Sequence, residues 1–314
     1  MSYSWSESPS GVYKSHELSS DLRVAAIAQT RFMQWVDTVP GYGKKKGDTV
    51  TLTRVANMSQ PSSDALSEEE LIPESTFSLS TEAVTVAEHG RAVPYTSLVD
   101  DLSKYDINNA IQKKLRDMLA LSLDSGAATA FKAGQVKCIP AGLSTATFDT
   151  DGTASTTAQV NIAYYHVEQI RDYMFSTLHI EPYMDGDYMV AAATKACRGI
   201  KSDPKFDDWN KYTNREAKMK GEIGKIEGCR FVEINNTSAL SGSQGNGSVL
   251  GECVFFGDAP VYMAVVQDPE LRAKESGDYG RSKGVAWYGI YAFKQVWSDS
   301  ATAGEAKVVH VTSA

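Results

Sequence analysis

The sequence predicts an α+β fold built around one long helix. Three observations carry that prediction. Ile107, Ile111, Leu115, Leu119, Leu123, Ala127 and Phe131 recur every four residues within 101–134, the strongest periodic signal in the chain. The stretch before it, 48–96, alternates with period two and has little helical pattern. The C-terminal half carries short runs rich in Val, Tyr and Phe, the chemistry of strands.

The helix is read over 101–134. Ser103 followed by Asp106 offers a capping-box-like start, and Gly134 a left-handed stop. At about 1.5 Å rise per residue, a run of about 30 residues spans roughly 45 Å. Lys113, Lys114, Arg116 and Asp117 give the first half a polar face. From Met118 to Ala130 nearly every residue is apolar or small, so that half needs cover on several sides.

Residues 1–20 are polar and Ser-rich, with Tyr3, Trp5 and Tyr13 interspersed. Such a segment cannot bury enough apolar surface to order alone, and its aromatics suggest docking on a neighbour. Residues 21–37 read as a short amphipathic helix ended by Pro40 and Gly41. GYGKKKGDT (41–49) lacks phosphate-loop spacing, because Asp48 stands where the lysine belongs. Lys44, Lys45 and Lys46 are then a solvated turn or a contact for an acidic partner.

In 48–96, Val50 and Leu52 alternate with threonines, and Phe77, Leu79 and Thr81 alternate with polar residues. The phase then slips to Val84 and Val86, which predicts a bulge or twist. The whole reads as a long two-stranded arm with an irregular tip. Between 64 and 90 it carries seven acids, among them Glu68, Glu69, Glu70 and Glu74, and no Lys or Arg; Arg91 follows directly. An isolated ribbon is marginal in water, so this one is expected to lie on another surface.

Past the helix, DTDG (149–152) resembles the opening of a calcium loop but lacks the later ligands, which leaves a turn. Helices are expected over 158–180 and from Lys195 to Lys201, and a buried strand from Tyr188 to Ala192. Nine Lys or Arg against five acids make 195–225 locally basic. Residues 221–237 read as a hairpin turning at Glu227 and Gly228, and 239–248 as loop. Strands are expected within 251–266, 285–296 and 307–311, so the end of the chain closes a sheet.

The net charge of −8 argues against a dedicated nucleic-acid binder. Cys138, Cys197, Cys229 and Cys253 fit no metal or redox spacing and read as buried, reduced thiols. His16, His89, His166, His179 and His310 are scattered and read as ordinary surface or hydrogen-bonded histidines. Asp185, Asp187, Asp203, Asp207 and Asp208 lack a partner motif and read as turn and surface residues. No catalytic motif is present, no cofactor is implied, and the reading is not an enzyme. No run reaches the roughly 20 apolar residues of a membrane span, and no signal-peptide core is seen, so the chain is expected to remain in the cytoplasm where it is made.

The order of these parts resembles the major capsid (coat) protein of tailed bacteriophages, with the Hong Kong 97-type fold. GDTVTLTR (47–54), STFSLSTEAVTVAEHGRAVPYT (75–96), GEIGKIEGCRFVE (221–233) and GVAWYGIYAF (284–293) are similar to the N-four-like branch of that family. The resemblance implies an N-terminal arm over 1–47 and an extension loop over 48–96. It further implies a spine helix with the first part of a peripheral domain over 97–159, an axial domain over 160–270, and return strands over 271–314. It implies a virion shell assembled in the host bacterial cytoplasm from pentamers and hexamers of this chain. A separate scaffolding protein, a portal at one vertex and double-stranded DNA held by weak, non-specific contact are the implied partners, with a decoration protein left open. Lys44, Lys45, Lys46, Glu68, Glu69, Glu70, Glu74, Arg91, Lys113, Lys114 and Arg116 are the expected inter-subunit contacts. The rival readings are an encapsulin-type shell, which shares the fold and encloses enzymes, and a hydrolase, which would need polar groups converging in a pocket.

Overall fold

The computed structural model describes residues 26–39, 49–58, 65, 68, 71, 72, 74–103, 106–204, 222–275 and 278–314. Two sheets, a separate ribbon and one long helix organise them.

The helix is shorter than the 101–134 read from the sequence, and matches the stripe from Ile107 to Phe131. A first helix, α1 (Ser97–Leu102), starts at Thr96, whose Oγ1 accepts from the Val99 amide. The chain then breaks, and Asp106 opens α2 (Ile107–Lys132) by accepting from the Asn109 amide at 3.0 Å. The predicted start at 101 merged two helices; the N-cap of α2 is Asp106. The predicted left-handed stop at Gly134 is also corrected, since Gly134 is not among the positive-φ residues. Side chains close the end instead. Gln295 Nε2 donates to the carbonyls of Ala130 (2.7 Å) and Phe131 (3.0 Å), and Lys137 Nζ donates to that of Lys132 (2.6 Å).

The larger sheet has seven strands, in the order β6-β5-β13-β10-β7-β9-β8. They are β5 (Lys137–Gly142), β6 (Thr145–Asp149), β7 (Tyr188–Ala193), β8 (Glu222–Ile226), β9 (Cys229–Ile234), β10 (Cys253–Phe256) and β13 (Val308–Val311). It draws strands from both sides of residues 160 and 270, since β5, β6 and β13 join those between. Both faces are covered, which explains the unbroken apolar runs. Along β10, Cys253 and Phe255 face a core with α3 (Tyr164–Asp172) and α4 (Thr194–Lys201), while Val254 and Phe256 face the end of α2. A π-helical turn, Tyr173–Thr177, continues α3. The β8–β9 hairpin turns through Glu227 (φ 48°) and Gly228 (φ 74°), both left-handed, as a type I′ turn requires.

The second sheet has four strands in the order β1-β11-β12-β4: β1 (Val36–Val39), β11 (Val261–Ala273), β12 (Ser282–Lys294) and β4 (Ala87–Thr96). Val285 and Trp287 of β12 pack with Leu115 of α2, so the first half of the helix lies on this sheet. Its other face meets the ribbon of β2 (Thr49–Val55) and β3 (Leu79–Thr85), through Val50 and Val84 against Ala264 and Ala292. The phase slip near Val86 is therefore a change of sheet and not a bulge: β3 pairs with β2, and β4 pairs with β12.

The helix expected over 21–37 is not formed in its described part. Phe32–Trp35 is a single 3-10 turn, and Val36–Val39 is β1, parallel to β11. Asp124 is the reason. Fully buried in mid-helix, its Oδ1 accepts from the amides of Arg31 (2.8 Å) and Phe32 (2.9 Å), and its Oδ2 from Asn236 Nδ2 (2.9 Å). These bonds satisfy the amides outside a helix, and a weak helical pattern yields to them. Phe32 then enters the core beside Phe131 and Trp35, at centroid distances of 5.3 and 5.8 Å.

Candidate inter-subunit surface

The first half of α2 presents a two-part surface. A groove of about 350 Å³ opens between β4 and α2, walled by Val93, Ile107, Ala110, Ile111, Leu115 and Met118. The helical period puts Ile107, Ile111 and Leu115 on one stripe facing β4. On the adjacent stripe, Asn108, Gln112 and Arg116 border a cleft of about 480 Å³ with Tyr95, Arg272, Lys274 and Lys283. The groove is apolar and the cleft is basic. Arg272 lies over the Tyr288 ring at 4.5 Å, and Lys283 pairs with Asp100 at 3.0 Å. Leu98, Val99 and Leu102 of α1 extend the apolar surface into solvent.

The expected contact residues divide as follows. Lys113 and Arg116 are exposed on α2; Lys114 is half-buried and pairs with Asp117 at 3.4 Å. Arg91 is exposed on β4, opposite Trp287. Glu68 and Glu74 are exposed in the arm, near Leu71, Ile72, Phe77 and Leu79, which are exposed too. Lys44, Lys45, Lys46, Glu69 and Glu70 lie outside the described residues, as do residues 1–20, Asp207, Asp208 and most of the basic stretch 195–225. The structure thus brings Lys113, Lys114 and Arg116 to one half-helix.

Sequence reasoning missed the group that seats the ribbon. Arg54 of β2 donates to both carboxylate oxygens of Asp299 (2.5 and 2.9 Å), to Val296 O (3.0 Å) and, through Nε, to Ser80 Oγ (2.7 Å). Its guanidinium lies 4.8 Å from the Trp297 ring centroid. The bond to Arg54 holds the Asp299 carboxyl below the usual range. Lys294 pairs with Glu82 on β3. The lone Arg in 48–90 is the only sequence signal for this seat.

The other polar side chains are structural. Asp187 is corrected from a surface residue: it is buried, and binds Arg230 Nε at 2.8 Å and Lys225 Nζ at 2.6 Å, tying β7 to the hairpin. Asp203 accepts from the Tyr164 amide at 3.2 Å at the start of α3. In the DTDG turn, Asp149 accepts from Ser155, and Asp151 from the Thr153 amide at 2.9 Å, so backbone groups take both carboxylates. All four cysteines are free and buried, and burial pushes the Cys197 and Cys229 thiols up to about 12. Among the described residues, no three His, Cys, Asp or Glu side chains gather as metal ligands. No helix of the described residues is long and apolar enough to cross a membrane.

No protein-family model matches the chain, and no curated protein matches it. Solved phage capsids do match. The capsid of Ralstonia phage GP4 superposes with TM-score 0.68 at 13% identity over 96% of each chain. The capsid of cyanophage Pam1 gives TM-score 0.68 at 15% identity, over 96% of this chain and 97% of that one. The mature capsid of bacteriophage PhiM1 gives TM-score 0.66 at 12% identity, over 95% and 91%. The fold of this chain is therefore that of these capsid chains, the Hong Kong 97-type α+β architecture.

Proposed function

We propose that the chain is a major capsid protein. Copies of it close into an icosahedral shell of pentamers and hexamers around the double-stranded DNA of a tailed phage. The observation that carries this reading is the near end-to-end superposition on phage capsid chains, in which neither chain has a large part left over. Function follows fold less surely than it follows a site, so the surface supplies the second support. The N-four-like branch, the portal, a separate scaffold and assembly in the host cytoplasm belong to the same reading.

A closed shell multiplies modest contacts, because each copy makes several. In this reading the arm of one copy lies on α2 of its neighbour. Leu71 and Ile72 enter the apolar groove at Val93, Ile107 and Met118, and Glu68, Glu69, Glu70 and Glu74 face Lys113, Lys114 and Arg116. Arg91, in the middle of β4, and Lys44, Lys45 and Lys46 take further acidic contacts. Exposed ion pairs contribute about 0–1 kcal/mol each, so the charges set register and rate while apolar burial holds the contact. The wall, at net charge −8, confines DNA without gripping it.

The test is expression of the full chain with and without a candidate scaffold, followed by negative-stain imaging. Hollow isometric particles that need the scaffold for uniform size support the reading. Shells that form alone and retain a tagged host enzyme indicate the encapsulin-type alternative. A persistent monomer under every condition overturns the shell.

A further inference from the structure

Where α2 ends against the larger sheet, three polar side chains are buried together: Lys137 of β5, His310 of β13 and Glu252, just before β10, none more than 6% exposed. Lys137 Nζ lies 3.2 Å from His310 Nδ1 and donates to the last carbonyl of α2, Lys132 O, at 2.6 Å. His310 Nε2 lies 2.7 Å from Glu252 Oε1, and Glu252 Oε2 accepts from the Ser241 amide at 2.6 Å. An ammonium can only donate and a carboxylate can only accept. These partners therefore assign His310 one tautomer: neutral, with Nδ1 accepting from Lys137 and Nε2–H donating to Glu252.

That geometry has one weak direction. A second proton on His310 goes to Nδ1, where it faces an ammonium, donor against donor and like charge against like charge. We propose that Lys137, His310 and Glu252 form an acid-released clasp that fixes the end of α2 to the seven-stranded sheet. The clasp stands on this chain alone and does not depend on shell formation.

The charged groups facing His310 are Lys137 from β5, Lys132 from α2 and Glu252. Burial lowers His310 below its ordinary value; Glu252 opposes this, and the two lysines add to it. Burial alone would raise Glu252, but the His310 bond, the Ser241 amide and Lys132 outweigh it and hold the carboxyl low. Burial lowers Lys137 to about 8, against the pull of Glu252. The signs agree. A His lowered in the folded state binds its proton more readily when unfolded, so its share of stability is complete above the ordinary histidine value and is lost as pH falls toward the folded one. Glu252 adds a further loss at lower pH, below the ordinary carboxylate value. Lys137 stays charged through the histidine window and supplies the repulsion.

Hydrogen–deuterium exchange on the full chain at several pH values, corrected for intrinsic rates, tests the clasp. Between about pH 7.5 and about pH 5.5, peptides over 128–138 and 308–312 should lose protection about tenfold, while β11 and β12 keep theirs. His310→Gln keeps an acceptor and a donor but cannot protonate, so its profile should be flat. Lys137→Met removes the repelling charge, so acid should no longer release the helix end. An equal loss in the wild type and in whichever of these variants folds overturns the proposal, as does no loss in the wild type.

Discussion

At the scale of single residues, Asp124 decides how Arg31 and Phe32 are held against α2. It accepts from two backbone amides and one side-chain amide. Asp124→Ala removes the acceptor of two buried donors and one half-buried donor and should cost about 3 kcal/mol, read as a lower denaturant midpoint. Phe32→Ala empties a fully buried ring site against Phe131 and should cost about 3–5 kcal/mol by the same measurement. Neither effect was legible in the sequence. An Asp amid small apolar helix residues looks like a surface break in the stripe. Its partners lie about ninety and 112 positions away, so only the tertiary fold reveals them. The same holds for Gln295, which caps α2 from β12's end, and for His310. Side chains with distant partners leave no local pattern.

At the scale of elements, local chemistry was legible wherever it repeats. The stripe from Ile107 to Phe131 marks α2, the apolar runs mark β7 and β10, and Glu227–Gly228 marks the hairpin. Boundaries failed where a cap or pairing partner overrode the pattern, as at 97–106 and at Val86. Gly228→Val forces a β-branched residue to φ 74° and should destabilise the hairpin by roughly 1–3 kcal/mol, seen as faster exchange across β8 and β9. The ribbon gives a contrasting case. Arg54 binds it to Asp299, Val296 and Trp297, outside the sheet core. Arg54→Ala should raise amide exchange across β2 and β3 while thermal unfolding of the two sheets changes little. Equal exchange in both proteins would mean that Val50, Val84 and the Lys294–Glu82 pair seat the ribbon without Arg54.

At the scale of the whole molecule, α2 is the part shared by both sheets. Its first half packs on the four-stranded sheet through Leu115, and its last turns pack on the seven-stranded sheet through Ala127, Ala128 and Phe131. The cover expected for the apolar second half is present over the last turns, while residues 119–123 remain half-buried. The candidate surface was partly legible: the basic stripe and acidic arm are visible as charge asymmetry, but the groove beside the stripe exists only once β4 joins its sheet. Reversing Glu68, Glu69 and Glu70 to Lys should slow assembly in low salt and invert its salt dependence, followed by light scattering. The most direct measurement is a cryo-electron microscopy reconstruction of particles assembled from the full chain. The proposal predicts a closed icosahedral shell in which the arm of one copy crosses α2 of the next, with Leu71 and Ile72 in the groove at Val93 and Ile107. A chain that stays monomeric, or a shell whose groove faces solvent, would contradict it.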